Sequence, residues 1–453
     1  MLGNLEGQYY IAGTPRISQP LAGEMRADRV SGVSIAVIDD YRISWTSAAG
    51  FRDVSGKAPV TENTLFQAAS MSKAVAAAGI LRLFEVKHLS LDADVNTLLR
   101  SWHVPMVPNV SGTVTMRRLL SHNAGVNVHG FQGYDRDATL PTLLQVLDGS
   151  SPATSEAIRV TSVPGSKTEY SGGGTTIAQQ VAIDLSGEPF ATFMQQTVLA
   201  PLNMRASTFD QPLPTASQAN AANGYYSDGK AVHRGWHVYP TMAAAGLWTT
   251  PTDLASFVIA IQDALRGRGK PPIDATVARE MTTKASQIFA LGPAVGSGFF
   301  WHDGANEGFQ GTFIGLTTGG RGVVVMTNSD NGILLANEIV HSVARVYRWP
   351  VLQPEPKTAL SLKQAQMRSV TGSYVAKASG FDVSMQVTIE RNAGASALFL
   401  RSSLDKIPTK LYAEGPLRFF TLNGASLVFV RDAAGHAISL QTAGMTLRRR
   451  PGP

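Results

Sequence analysis

Three serine–lysine pairs with two residues between them occur along the chain. They are Ser70 and Lys73 in "LFQAASMSKAVAAAGILRLFEV", Ser227 and Lys230 in "YYSDGK", and Ser403 and Lys406 in "SSLDK". The spacing has chemical meaning, because residues three apart on a helix share a face and the amine can reach the hydroxyl. Burial makes a lysine give up its proton more readily, and a neutral amine can take the proton of a serine that attacks a carbonyl. The pattern alone is weak, since a chain of this length contains roughly two such pairs by chance.

Setting separates the three. The second and third pairs enclose Asp228, Gly229 and Asp405, residues that favour turns, and read as surface coincidences. In the first, Arg82 is the only ionised residue between Ala74 and Phe84, so the run reads as a helix inside a domain. Ser70 is expected at the N-terminal end of that helix, where unpaired N–H groups and the positive dipole end favour a developing oxyanion. The structural alternative makes Ser70 a helix cap and Lys73 a snorkelling residue.

Two further stretches carry suitable groups. "PGSKTEYSGGG", residues 164 to 174, places Tyr170 ahead of glycines and the apolar run "TTIAQQVAIDLSG", and a phenol can relay a proton. "FFWHDGANEGFQG", residues 299 to 311, places His302 at the end of a strand-like segment, where backbone N–H groups can face a ligand. His233-Arg234-Gly235 repeats the His-x-Gly pattern without flanking strands.

The elements that must hold these residues follow from periodicity. Val33, Ile35 and Val37, then Ile43 and Trp45, alternate around Asp39 and Asp40 as an antiparallel hairpin. Residues 70 to 265 are mostly helical, strands return from 299 to 327, and "ILLANEIVHSVARVYRW" closes as a helix. A sheet assembled from distant parts of the chain with helices between them is an α+β domain. Pro350, Pro354 and Pro356 mark a boundary. Beyond it, short strands such as "DVSMQVTIE" with Val383, Met385, Val387 and Ile389 on one face make a small barrel or sandwich. Phe399, Phe419, Phe420 and Phe429 are expected in its core. The boundaries read as 1–350 for the first domain, 351–356 for a Pro-rich linker and 357–453 for the barrel.

Taken in order, "LFQAASMSK", "TVTMRRLLSHNAGV", "PGSKTEYSGGG", "LAPLNMRASTF", "AAAGLWTTPTDL" and "HDGANEGFQGTF" resemble segments of the class C β-lactamase and penicillin-binding-protein superfamily of serine hydrolases. The likeness covers most of residues 30 to 345 and implies a β-lactamase/transpeptidase-like fold, an antiparallel sheet flanked by helices with a helical subdomain. It implies Ser70 as nucleophile, Lys73 as its activator, Tyr170 as proton relay and His302 as the strand residue that orients substrate. The oxyanion hole would be the backbone N–H groups of Ser70 and Ala305, with Gly172, Asp303 and Gly304 as further substrate contacts. The C-terminal segment resembles the lipocalin-like barrel appended to some members, read here as a structural cap.

Two positions depart from that family's pattern. Tyr170-Ser171-Gly172 lacks the asparagine of Tyr-x-Asn, and His302 stands where the β-lactamases carry lysine. Both changes disfavour β-lactams and suit neutral esters or amides. The expected function is a carboxylesterase acting on small esters. The alternatives are a D-amino-acid peptidase or amidase of D-alanyl-D-alanine carboxypeptidase type, and a penicillin-binding sensor with little turnover.

Composition removes other classes. The chain has no cysteine, so disulfides, thiolate catalysis and Cys-type zinc sites are excluded. His122 and His129 are seven apart and no His-Glu-x-x-His occurs, so no metal or other cofactor is expected. His122 reads as a structural residue hydrogen-bonded at a helix end. The net charge of +6 is dispersed apart from Arg448, Arg449 and Arg450, which argues against a nucleic-acid partner. No run approaches the ~20 apolar residues of a membrane span. The chain starts without a signal peptide, an expectation of cytoplasmic placement unless a leader has been removed, in which case it is periplasmic or secreted. The sequence leaves the oligomeric state open.

Overall fold

The computed structural model describes residues 1–450 apart from 379–380, 393–394, 404–406, 434 and 443. Two compact units result, residues 30–333 as one and residues 1–29 with 334–453 as the other. Lys406, of the third serine–lysine pair, lies outside the described residues.

The first unit is built on a seven-stranded sheet. Its strands are β1 (Gly32–Asp39), β2 (Arg42–Asp53), β3 (Ala58–Pro59), β4 (Ala294–Gly296), β5 (Phe299–Asn306), β6 (Phe309–Leu316) and β7 (Gly322–Thr327). They lie in the order β3-β2-β1-β7-β6-β5-β4, and every neighbouring pair is antiparallel. The first hairpin turns through Asp40 and Tyr41, both with positive φ of 50° and 59°, the two-residue turn whose twist matches its strands. Pairing β1 with β7 closes a loop of nearly three hundred residues, and Val33, Ile35, Val37, Val323, Val324 and Val325 are buried at that seam. These are the strands seen at both ends of the region in sequence, meeting as an α+β sheet requires.

Between those strands run the helices α1 (Ser72–Val86), α2 (Gly172–Ser186) and α3 (Pro251–Leu265). Only Arg82, Glu85 and Val86 of α1 reach solvent, and Arg82 is neutralised there by Glu85 and Asp274. The helix packs against α2 and the short helix Met242–Ala245. α3 begins at Thr250, whose hydroxyl accepts the Asp253 N–H, with Pro251 at its first position.

The second unit ends in a closed antiparallel barrel of eight strands, β8 (Gly372–Ala378), β9 (Phe381–Asn392), β10 (Ala395–Ser402), β11 (Thr409–Ala413), β12 (Arg418–Phe420), β13 (Ser426–Arg431), β14 (Ala437–Thr442) and β15 (Met445–Arg449). Closure is made by β8 with β15, where Tyr374 faces Arg449. Side chains fill the interior: Val383, Met385 and Val387 are buried with Ile389 packed beside them, and the Phe429 ring meets Phe419 and Tyr374 edge-on at 5.3 and 5.5 Å. Two of the four phenylalanines lie outside this core. Strand alternation turns Leu398 and Leu400 inward and leaves Phe399 half-buried, while Phe420 packs between Tyr9 and Tyr412. The N-terminal strand Tyr9–Ile11 pairs in parallel with Glu355–Lys357, the segment that carries Pro356.

Phe419 is 1% exposed at the centre of this cluster. Phe419→Ala is expected to lower the stability of this unit by about 3–5 kcal/mol. Denaturant unfolding should show an earlier midpoint with the slope little changed.

Candidate active site

Ser70 does not lie on α1 itself. It sits in a single 3₁₀ turn, Ala69–Met71, that leads into the helix, and Ala69 before it has a φ of +49°, a left-handed conformation costly for a residue with a Cβ. Neither this turn nor α1 receives a side-chain cap bond, so Ser70 is not spent on capping. The turn aims the hydroxyl at Lys73, whose ammonium donates to Ser70 Oγ at 3.0 Å and to the Ala244 carbonyl at 2.7 Å. Lys73 is 4% exposed, and burial pushes its pKa down to about 7. At neutral pH a substantial fraction is therefore the free amine.

Tyr170 precedes α2, and its neighbours are pinned by one residue. The His122 carbonyl accepts the Glu169 N–H at 2.8 Å and the His122 Nδ1 accepts the Ser171 N–H at 3.2 Å, so the two bonds straddle Tyr170. The His122 ring lies 4.3 Å from the Tyr170 ring, His129 lies 5.0 Å away and Phe289 5.9 Å. Burial, with the Lys73 charge adding to it, holds His122 neutral, well below the usual histidine range. The residue expected to be structural thus has a structural task within the site itself. No local pattern could reveal it, since His122 and Ser171 are joined only by the fold.

The tyrosine hydroxyl hydrogen-bonds Ser70, and Lys73 Nζ lies 5.0 Å from the centre of its ring. Burial raises the Tyr170 pKa far above its ordinary value, so the residue stays a phenol. His302, on β5, is 5% exposed, with its ring 6.1 Å from that of Tyr170. Its Nδ1–H donates to the Asp303 carbonyl at 2.6 Å, which leaves Nε2 as an acceptor, and burial lowers its pKa to about 3. Both departures from lysine chemistry at this position follow: His302 is neutral, and it accepts.

These residues share a cavity of about 360 Å³. Ser70, Tyr170, His302, Asp303, Gly304 and Ala305 line it, with His129, Ile288, Phe289, Ala294, Trp301, Gln310 and Ile333. Two site residues singled out in sequence lie outside the lining, Lys73, buried behind Ser70, and Gly172. For Gly172 the reason is local. Its N–H donates to the His129 carbonyl at 2.9 Å, and a Cβ there would lie 3.1 Å from that oxygen and from the Phe131 ring. The other two serine–lysine and His-x-Gly matches are elsewhere. Lys230 projects into solvent beside Asp228, and His233 and Arg234 are exposed in a single 3₁₀ turn. Among the described residues, two groups could share a metal ion, Asp135–Asp137–His233 and Glu24–Asp28–Glu338, and neither includes a cavity-lining residue.

A family model described as Beta-lactamase matches residues 18–347. The chain belongs to the beta-lactamase family. It is 29% identical over 199 residues to Esterase EstB of Burkholderia gladioli, covering 41% of this chain and 48% of the esterase. It is 26% identical over 227 residues to unguisins hydrolase ungD of Aspergillus violaceofuscus, covering 46% of this chain and 38% of that protein. The chain thus spans less than half the length of these curated relatives. The beta-lactamase fold is shared with the octameric penicillin-binding protein homologue of Pyrococcus abyssi, with a TM-score of 0.64 at 20% identity over 94% of this chain and 98% of that one. It is also shared with the D-amino acid amidase of Ochrobactrum anthropi, with a TM-score of 0.58 at 20% identity over 72% and 96%.

What brings β5 against the Ser70 turn is Gly304. A Cβ there would lie 2.3 Å from the Ala68 carbonyl oxygen. Gly304→Val is expected to push β5 away from Ser70 and lower kcat/KM on any substrate acylating Ser70 by about 100-fold or more. The check is steady-state kinetics beside circular dichroism, which should show the fold retained.

Proposed function

We propose that the chain is a serine hydrolase that cleaves small carboxylic esters through an acyl-enzyme on Ser70. One observation carries this reading, the buried Lys73 amine 3.0 Å from Ser70 Oγ and held by the Ala244 carbonyl. A neutral amine has two hydrogens and one lone pair. One hydrogen serves Ala244, and the lone pair faces the Ser70 hydroxyl. As Ser70 Oγ bonds to the carbonyl carbon, its proton passes to Lys73.

The oxyanion that forms would be met by the N–H groups of Ser70 and Ala305, which both border the cavity. Collapse breaks the bond to the leaving group, whose oxygen takes a proton through the Tyr170 hydroxyl, and Lys73 restores that proton. Water then attacks the acyl carbon by the same steps in reverse, releasing the acid and Ser70. His302 supplies a neutral acceptor, Nε2, for a donor on substrate or for the incoming water.

Ester cleavage fits the two departures from β-lactamase chemistry. No lysine at position 302 holds a carboxylate, and no asparagine amide at position 172 holds an acylamino side chain. The name of the EstB relative supports the same class. Amide cleavage, including that of D-amino-acid amides or D-alanyl-D-alanine-type peptides, is the second reading. It is favoured by the phenolic Tyr170 at the nucleophile, because an amine must be protonated to leave.

Intact-protein mass spectrometry with a p-nitrophenyl butanoate pulse should show an acyl adduct on the wild type that decays with continued product release, and none on Ser70→Ala. A lasting adduct with penicillin and no turnover of either compound would assign a sensor instead. Labelling of Ser70→Ala at the wild-type level would remove Ser70 as nucleophile. Because Lys73 acts as the free amine, kcat/KM should fall about tenfold per pH unit below about pH 7 and level off above it. His302, neutral throughout that range, adds no limb.

A further inference from the structure

The cavity beside Ser70 is apolar on most of its walls, through Ile288, Phe289, Trp301 and Ile333. Its titratable lining is uneven in charge. His129 and His302 are both pushed toward the neutral form by burial and by the Lys73 charge. Among the lining residues that leaves Asp303 as the one formally charged side chain.

Asp303 sits on β5 between His302 and Gly304. Strand alternation turns His302 into the protein, where it is buried, and turns Asp303 to the opposite side, where it is exposed. Thr312 faces it across the β5–β6 pair and hydrogen-bonds the carboxylate. No lysine or arginine forms an ion pair with it among the described residues, whereas some exposed carboxylates are paired, Asp137 with Arg234 and Asp228 with Lys230 among them. The cavity walls hold back enough water to raise its pKa above the usual carboxylate value, and its charge is felt at Tyr170. An unpaired carboxylate in a partly dry, apolar cleft is costly unless something binds it.

We propose that Asp303 is a subsite for a positively charged group of the substrate, so that the site selects esters or amides carrying an ammonium near the scissile carbonyl and rejects anionic ones. The proposal rests on the hydrolase reading for its substrate, though not for its binding site. Ala305 lies two positions beyond Asp303, about 6.6 Å along a strand, so the cation should lie only a few bonds from the carbonyl. His302 and Asp303 then act in one sense. Replacing lysine by neutral His302 removes attraction for a carboxylate, and Asp303 adds repulsion. Attraction between opposite charges in a partly desolvated cleft is expected to favour a cationic over a neutral substrate by about tenfold or more in kcat/KM.

The test compares three p-nitrophenyl esters of similar length, a butanoate, a 4-(trimethylammonio)butanoate and a hemisuccinate, on wild type, Asp303→Asn and Asp303→Lys. Wild type should prefer the cationic ester and discriminate against the hemisuccinate. Asp303→Asn should bring the three values together, and Asp303→Lys should invert the order. Equal wild-type values, or a preference that survives Asp303→Asn, would overturn the proposal. Calorimetric binding of choline against its neutral isostere 3,3-dimethylbutan-1-ol separates the two readings. If no ester reacts but choline binds better than the isostere to wild type and not to Asp303→Asn, the hydrolase reading fails and the subsite stands. If choline has no advantage on wild type, the subsite fails whatever the esters do.

Discussion

A single buried amine organises the site. Lys73 has lost nearly all its water, and it hydrogen-bonds Ser70 Oγ and the Ala244 carbonyl beside the Tyr170 ring. Desolvation without a carboxylate partner destabilises the charged form, which brings the amine close to half-neutral at physiological pH. Any carboxylate in contact would restore an ordinary lysine and remove the base. The apolar character of α1 is thus part of the chemistry as well as of the core. The same dryness keeps His302 neutral and Tyr170 protonated, so one environment sets three protonation states.

Bringing these groups together demands close approaches, and small residues mark where they occur. β5 can reach the Ser70 turn because Gly304 has no side chain to strike the Ala68 carbonyl. The start of α2 can lie on the 127–130 loop because a Cβ at Gly173 would fall 2.8 Å from the Asn127 carbonyl, and Gly172 is almost as confined. Glycine at position 172 in this light eases close packing against the His129 carbonyl and the Phe131 ring as well as changing substrate chemistry. Ala69 in the left-handed region fits the same pattern, backbone strain held in place by a rigid surround at the residue before the nucleophile.

Periodicity made most of the framework legible. The first hairpin (its turn one residue later than the expected Asp39 and Asp40), the buried α1 and the alternating barrel strands all follow from local pattern, because each buries one side of a short segment. Ser70, Lys73, Tyr170 and His302 were recognisable by type and order, and the structure gathers them around one cavity with Ala305 and Asp303. What stayed hidden depends on long-range contacts. The Ala244 carbonyl that fixes Lys73 is a backbone atom with no signature in sequence. The His122 bonds astride Tyr170 and the Phe289 ring beside it join segments that only the fold makes neighbours. Phe399 and Phe420 illustrate a register effect, since a shift of one residue along a strand exchanges core for surface.

The ionisation of Lys73 is the quantity on which the chemistry turns, and it can be observed without any substrate. Protein labelled with ¹³C at lysine Cε, titrated by NMR with Lys73→Met as the assignment control, should show one lysine changing protonation near pH 7. A Lys73 resonance that titrates with the others, at about 10.4, would mean that the amine is an ordinary charged group at neutral pH. It could not then take the proton from Ser70.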